Sequence, residues 1–260
     1  MPVLRRPLVS PVYRYPELMP ESAGPGVDAP AYSEGPVAFA DAGYRSAVID
    51  LLGVIAYGEI SAFERLAEDA KLAPTMQDKV ALATMASVEL GKVAPLHQRI
   101  SELGGDPYDA MAPFRTPIDM FHQHTSPSDW LEGLVKAFVG DGLANDFYRE
   151  IAAFLDADTR DLVVSSVDDD GGHSAFAVER VRSVIAADPT QGGRLALWGR
   201  RLMGEALTQA QRVAADRDSL TSLLTGGVDR PGLDLAALGR MFTRLTDRHQ
   251  ERMSELGLDA

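Results

Sequence analysis

Four acids, a lysine and a histidine recur along this chain at spacings that suit a metal centre between helices. Glu59 lies in one long helical pattern, and Glu89 and Lys92 lie in the next, as Glu-Leu-Gly-Lys. Asp141 lies in a third, and Asp170 and His173 lie in a fourth, as Asp-Gly-Gly-His. Dinuclear carboxylate centres in four-helix bundles take one acid from each of two helices and an acid-x-x-His pair from each of the other two. The order here is the same. An acid and a partner three positions on share one helix face, so both can point into the bundle. Four acids would then neutralise two divalent ions, with nitrogens completing each coordination sphere. In that arrangement Glu89 and Asp170 occupy the bridging positions.

The departures are chemical. Lys92 stands where the pattern has a ligand histidine, and a protonated amine has no lone pair to give a metal. Asp141 and Asp170 are each one methylene shorter than Glu, and Gly171 and Gly172 loosen the helix beside Asp170. Three arrangements stay open. The acids hold no metal and Lys92 is their counter-ion; one ion sits among Glu89, Asp141, Asp170 and His173; or two ions bind because Lys92 is deprotonated or points away. Iron or manganese would suit such donors, in zero to two copies. Glu59 and Glu89 have apolar neighbours four residues to either side, Ile55 and Phe63, Met85 and Val93, so their faces should turn inward. Asp170 closes an Asp-Asp-Asp run that would ordinarily be solvated, and His173 also suits a structural hydrogen-bonding role.

These residues need helices to hold them. From about Asp41 to Lys71, Val48, Leu51, Leu52, Ile55, Ala62, Phe63 and Leu66 fall at steps of three and four. A second helix should start with Pro74 in its first turn, run to about Leu103 and end at Gly104-Gly105. Pro95 should kink or locally break it. Residues 105–126, with Pro107, Pro113 and Pro117, read as the long crossover a four-helix bundle needs. The third helix should begin near Pro127 with Ser126 as its cap and reach about Leu155. The fourth should run from about 157–159 to Asp188-Pro189. Two further helices follow, about Gln191–Leu224 and Leu233–Leu256, separated by Thr225-Gly226-Gly227 and Pro231. Glycines 192–193 and 226–227 read as turns. Glu59 and Glu89 are 30 positions apart, and Asp141 and Asp170 are 29 apart, as two related helical hairpins would give. The expected organisation is an extended arm over 1–38, a helical bundle over 39–224 including a fifth helix, and a C-terminal helix over 225–260.

At these residues the chain resembles the ferritin-like superfamily. More narrowly, it is similar to actinobacterial ferritin-like proteins grouped with the MiaE-type tRNA hydroxylases. The resemblance rests on Ala56-Tyr57-Gly58-Glu59, Ala86-Ser87-Val88-Glu89-Leu90-Gly91, Gly172-His173-Ser174 and the stretch from Val139 through Asp141 to Tyr148. It implies an all-α, ferritin-like four-helix bundle with two extra C-terminal helices and an extended N-terminal arm. Hydroxylases of that family activate dioxygen at a di-iron centre and hydroxylate an isopentenylated adenosine in tRNA. Carried over, Glu59, Glu89, Asp141, Asp170 and His173 would be the metal ligands, with Lys92 in place of a histidine. Two functional expectations follow: a di-iron type oxidoreductase with a degenerate site, or a metal-free relative with a binding or assembly role.

Composition narrows the partners. The net charge of −13 disfavours nonspecific binding to DNA or RNA. Arg240, Arg244, Arg248 and Arg252 form a stripe on the last helix, and Arg194, Arg200 and Arg201 a second cluster. Salt bridging to the acidic excess explains them as well as a tRNA contact would. Trp198 reads as core. His122-Gln123-His124 would point both imidazoles the same way on an extended segment, yet no third ligand is in view. No uninterrupted apolar run approaches membrane-spanning length, and the N-terminal segment is too Pro-rich for a secretory signal. With no cysteine in the chain, thiol chemistry is excluded. A cytoplasmic protein is the expectation, with an acidic surface and long helices that allow a homodimer.

Overall fold

The computed structural model describes residues 41–167, 173–226 and 232–260. The arm expected over 1–38 lies outside them. Every regular element among the described residues is helical. Helix α1 spans Ala42–Asp69 and α2 spans Met76–Glu102. Helices α3 (Pro107–Met111) and α4 (Arg115–His124) follow, joined by a 3-10 turn over Ala112–Phe114. Then come α5 (Trp130–Ala152), α6 (Ala157–Ser166) and α7 (His173–Ala187). Helices α8 (Thr190–Asp216), α9 (Asp218–Thr225) and α10 (Leu235–Glu255) complete the chain.

Asp41 caps α1, its carboxylate accepting from the Gly43 amide at 2.8 Å. Thr75 caps α2 through the Asp78 amide, so Pro74 precedes the helix rather than opening its first turn. The α2 C-terminus closes as expected. Gly104 takes φ +81°, and the Gly105 amide donates to the Ile100 carbonyl while Gly104 donates to Ser101. Helix α2 runs unbroken through Pro95. The residue four positions earlier is Gly91, with open space where a Cβ would stand. Buried Val93, Leu96 and Ile100 hold both sides of the proline in place.

Four other boundaries differ from the sequence reading. The crossover is itself helical, in α3 and α4, because Asp106 caps α3 through the amides of Tyr108 and Asp109 with Pro107 in its first turn. The cap of α5 is Asp129, not Ser126, since its carboxylate accepts from the Glu132 amide at 2.9 Å. The fourth helix divides into α6 and α7, because α6 ends at Ser166 and α7 begins at His173. The fifth divides at Arg217, whose backbone (φ −135°, ψ 82°) leaves the helical region between α8 and α9. Glycines 192–193 lie inside α8 rather than in a turn, whereas Gly226, with φ +80°, does end α9.

Helices α1 and α2 form one antiparallel hairpin, and α5 with α6–α7 forms the other. Arg180 of α7 reaches Asp78 of α2 at 2.9 Å, and Arg99 of α2 reaches Asp156 before α6 at 3.2 Å. Asp156 also accepts from the Tyr44 hydroxyl and caps α6 through the Thr159 amide. One carboxylate thus ties the start of α1, the end of α2 and the α5–α6 corner. Helices α8 and α9 lie along α5 and α1, and α10 lies on α5. Arg244, Arg248 and Arg252 of α10 pair with Glu150 and Asp146 of α5. Trp198 is buried, its indole N–H donating to the Glu132 carbonyl at 2.9 Å.

Gly53 is where α3 crosses α1 so closely that a Cβ would overlap the Ala110 carbonyl. Helix α1 is long and apolar enough to cross a membrane, with a mean hydropathy of 1.5 over its most apolar stretch. Half of that stretch is buried inside the bundle, as expected of a central helix touched by α2, α3, α5 and α9. The apolar core is in two parts. One gathers Leu51, Leu52, Ile55, Leu96, Ile100 and Leu155. The other gathers Leu66, Leu82, Met85, Leu134, Phe138 and Trp198. On α1 and α2 the gap between them falls at Glu59 and at Glu89–Lys92.

Candidate acid–lysine site

That gap is a polar layer. Glu59 follows Ile55 by one turn of α1, and Glu89 faces it from α2; their exposures are 8% and 5%. Their inward orientation follows from the apolar residues one turn to either side. Lys92 reaches back along its own helix to donate to Glu89 Oε2 at 2.7 Å, and its Nζ lies 3.8 Å from Glu59 Oε2. The lysine therefore points at the acids.

Burial is the main reason the Glu59 pKa rises, to about 10, and a hydrogen bond to Glu89 adds to it while Lys92 opposes it. A bond between two carboxyl groups requires one of them to hold a proton, and Glu59 is that one. Burial works against the Lys92 charge, but Glu59, Glu89 and Asp141 together outweigh it and raise the Lys92 pKa. A protonated Glu59, an ionised Glu89 and a charged Lys92 make a set with no net charge.

Asp141 of α5 is half-buried and acts on Glu59 and Lys92 through its field. Asp170 lies outside the described residues, and of His173 only the backbone, at the start of α7, is described. Sequence reasoning missed Tyr148. It stands seven residues, two helical turns, after Asp141 on α5, and a Cβ on Gly58 would lie 3.7 Å from its hydroxyl. Burial, then the Glu59 charge, pushes its phenol above the ordinary range. The two-turn spacing from Asp141 was the available signal.

A family model described as a ferritin-like domain of actinomycetes matches residues 42–227. The chain belongs to this ferritin-like family. No curated protein gives a significant match.

The match covers α1 to α9, the elements that build both hairpins and the layer between them. Ferritin-like bundles can build dinuclear metal centres from inward-facing carboxylates and histidines. Among the described residues no group of three or more acid or histidine side chains converges as ion ligands. The two facing glutamates instead share a proton and an ammonium, and Lys92 occupies the place of a nitrogen donor. Asp170 and the side chain of His173, the remaining donors of the expected set, lie outside the described residues.

The ferritin-like body also contains a cavity of about 900 Å³ with Glu59, Glu89, Lys92 and Asp141 in its wall. Small side chains leave this space open: Gly58 and Ala62 on α1, Gly140 and Ala144 on α5, Ala206 and Ala210 on α8. A Cβ at Gly140 would meet no atom within 4 Å.

A second polar group lines the same cavity: Arg65 and Asp69 of α1, His122 of α4 and Lys136 of α5. His122 and His124 do not form the paired donor an extended segment would give, because α4 is a helix and residues two apart diverge around it. His124 bonds Glu205 at 2.7 Å, while His122 faces the cavity. Lys136 is 6% exposed and donates to the Thr125 carbonyl at 2.8 Å. Burial lowers the Lys136 pKa to about 8, against the field of Asp69. Burial raises Asp69 to about 6, and burial with the Lys136 and Arg65 charges lowers His122 to about 3.

Proposed function

We propose that this ferritin-like protein is a non-redox member of its family that binds a small molecule in the bundle interior. The observation that carries the reading is Lys92. Its ammonium sits 2.7 Å from Glu89 and 3.8 Å from Glu59, where it neutralises the layer that would otherwise attract divalent ions. The cavity beside it is at the large end of small-molecule sites, which run to about 1,000 Å³, and its walls are mainly apolar with a few polar groups.

The competing reading is a di-iron oxidoreductase resembling the MiaE-type tRNA hydroxylases. It is supported by the order of Glu59, Glu89, Asp141, Asp170 and His173 along the chain, and it needs Lys92 to release its hold on the acids. Elemental analysis decides between them, on protein purified without chelator and then reloaded with ferrous iron or manganese. The binding reading expects less than a tenth of an equivalent of metal per folded chain. One or two equivalents would overturn it. Lys92→His is the companion variant: two bound ions there would mean that a single substitution separates this chain from a metal-binding relative.

A further inference from the structure

The cavity has a second polar end, distinct from the Lys92 layer, at Arg65, His122 and Lys136. Lys136 there is an almost fully buried ammonium whose hydrogen bond goes to a neutral carbonyl, that of Thr125. Among the described residues no carboxylate lies within 4.0 Å of it. Two neighbouring nitrogens are buried without a hydrogen-bond partner, Arg65 Nε and His122 Nδ1. A buried donor left unmade costs about 1–3 kcal/mol, so several at one place call for an acceptor. All three residues line the cavity.

We infer that Lys136, Arg65 and His122 form a head-group site for an amphipathic carboxylate whose chain lies in the apolar remainder of the cavity. This deepens the binding reading above and rests on it. Contact pairing selects a single negative charge. Arg65 already meets Glu68 at 2.9 Å, whereas Lys136 feels Asp69 only through its field and touches no carboxylate among the described residues. A phosphate head, with nearly two charges at neutral pH, would exceed what this wall neutralises. The carboxylate would accept from the free protons of Lys136, from Arg65 Nε and from the imidazole N–H, which burial keeps on a neutral ring. Phe121, Phe138, Ala62, Ala206 and Ala210 surround the space left for a chain. Lys136 lies near the ring of Phe121, 5.5 Å from its centroid, at the boundary between the polar and apolar parts.

The test is displacement of Nile red, an uncharged apolar dye, from the full chain by laurate and by methyl laurate. These probes share a chain and differ in charge at the head. Laurate should compete at least ten times better than its ester on the native protein. That preference should vanish in Lys136→Met, which removes a buried charge and so should remain folded, as circular dichroism would verify. Ala206→Phe, which fills the apolar part, should weaken both probes together by tenfold or more. Equal competition by ester and acid, a preference that survives Lys136→Met, or displacement by neither would overturn the head-group site. Equal competition would do so while leaving the binding reading intact, and the metal-loading experiment judges that reading separately.

Discussion

Replacing Lys92 with methionine removes the counter-ion from the polar layer and keeps the length of the side chain. At 2.7 Å and an effective dielectric of about 20, the Lys92–Glu89 attraction is about 6 kcal/mol. Glu59, 3.8 Å away, adds little while it holds its proton. Relief of the ammonium's own desolvation returns part of this. Breaking a buried pair by removing one partner therefore costs about 3–5 kcal/mol. Urea unfolding at pH 7, followed by far-ultraviolet circular dichroism, should show Lys92→Met destabilised by that amount. Glu89→Gln in the same background removes the stranded charge and should recover at least about 2 kcal/mol, the coupling expected of direct contact. A Lys92→Met protein within about 1 kcal/mol of the native one, or a double variant as unstable as the two single losses summed, would refute the neutral acid–lysine set.

Lys136 offers a test in pH. Its pKa is about 8 in the folded chain against an ordinary 10.5, so the unfolded chain binds the extra proton between those values and native stability should rise with pH across that window. Lys136→Met should be more stable than the native chain by about 3 kcal/mol below pH 8, an advantage that fades toward pH 10.5 in urea titrations. The charges acting on Lys136 include Asp69, Arg65, Asp141 and Glu68, and Asp69, at about 6, has finished titrating before the window opens. Gly53→Ala should cost about 3 kcal/mol or more, read as a lowered thermal midpoint, because the added methyl meets backbone of α3 rather than a movable side chain. Asp156→Ala should cost about 2–4 kcal/mol in the same assay, since it removes the α6 cap along with the partners of Tyr44 and Arg99.

Much of this was legible in the sequence where periodicity is long. The 3.6-residue period through Leu51, Ile55 and Leu66 placed α1 to within about two residues, and the same apolar flanks turned Glu59 and Glu89 inward. Boundaries set by side-chain capping were harder to read. Ser126 and Asp129 are both good cap residues, and the choice depends on which amide each carboxylate or hydroxyl can reach in three dimensions. Residues 105–126 read as a plain crossover because Pro107, Pro113 and Pro117 obscure any helical period, whereas Pro107 sits in a first turn where its missing N–H costs nothing. The division at Arg217 leaves no mark in the apolar pattern. Lys92 stood out as a departure from the bundle pattern, but its direction depends on a rotamer. The Lys136 group was invisible for a plainer reason: Arg65, His122 and Lys136 come from α1, α4 and α5, and nothing local links them.

The polar layer across the two apolar clusters bears on how the body comes apart. Charged and hydrogen-bonded side chains at Glu59, Glu89 and Lys92 give the two clusters a boundary at which apolar contacts are sparse. Opening on one side of such a boundary need not drag the other side with it. Among the described residues only α1, α2 and α5 run through both clusters, so these helices carry the mechanical continuity of the body. Amide hydrogen exchange should therefore divide into two protection classes along the bundle axis. The slowest amides should belong to the middle turns of α1 and α2, which an opening confined to either cluster leaves in place.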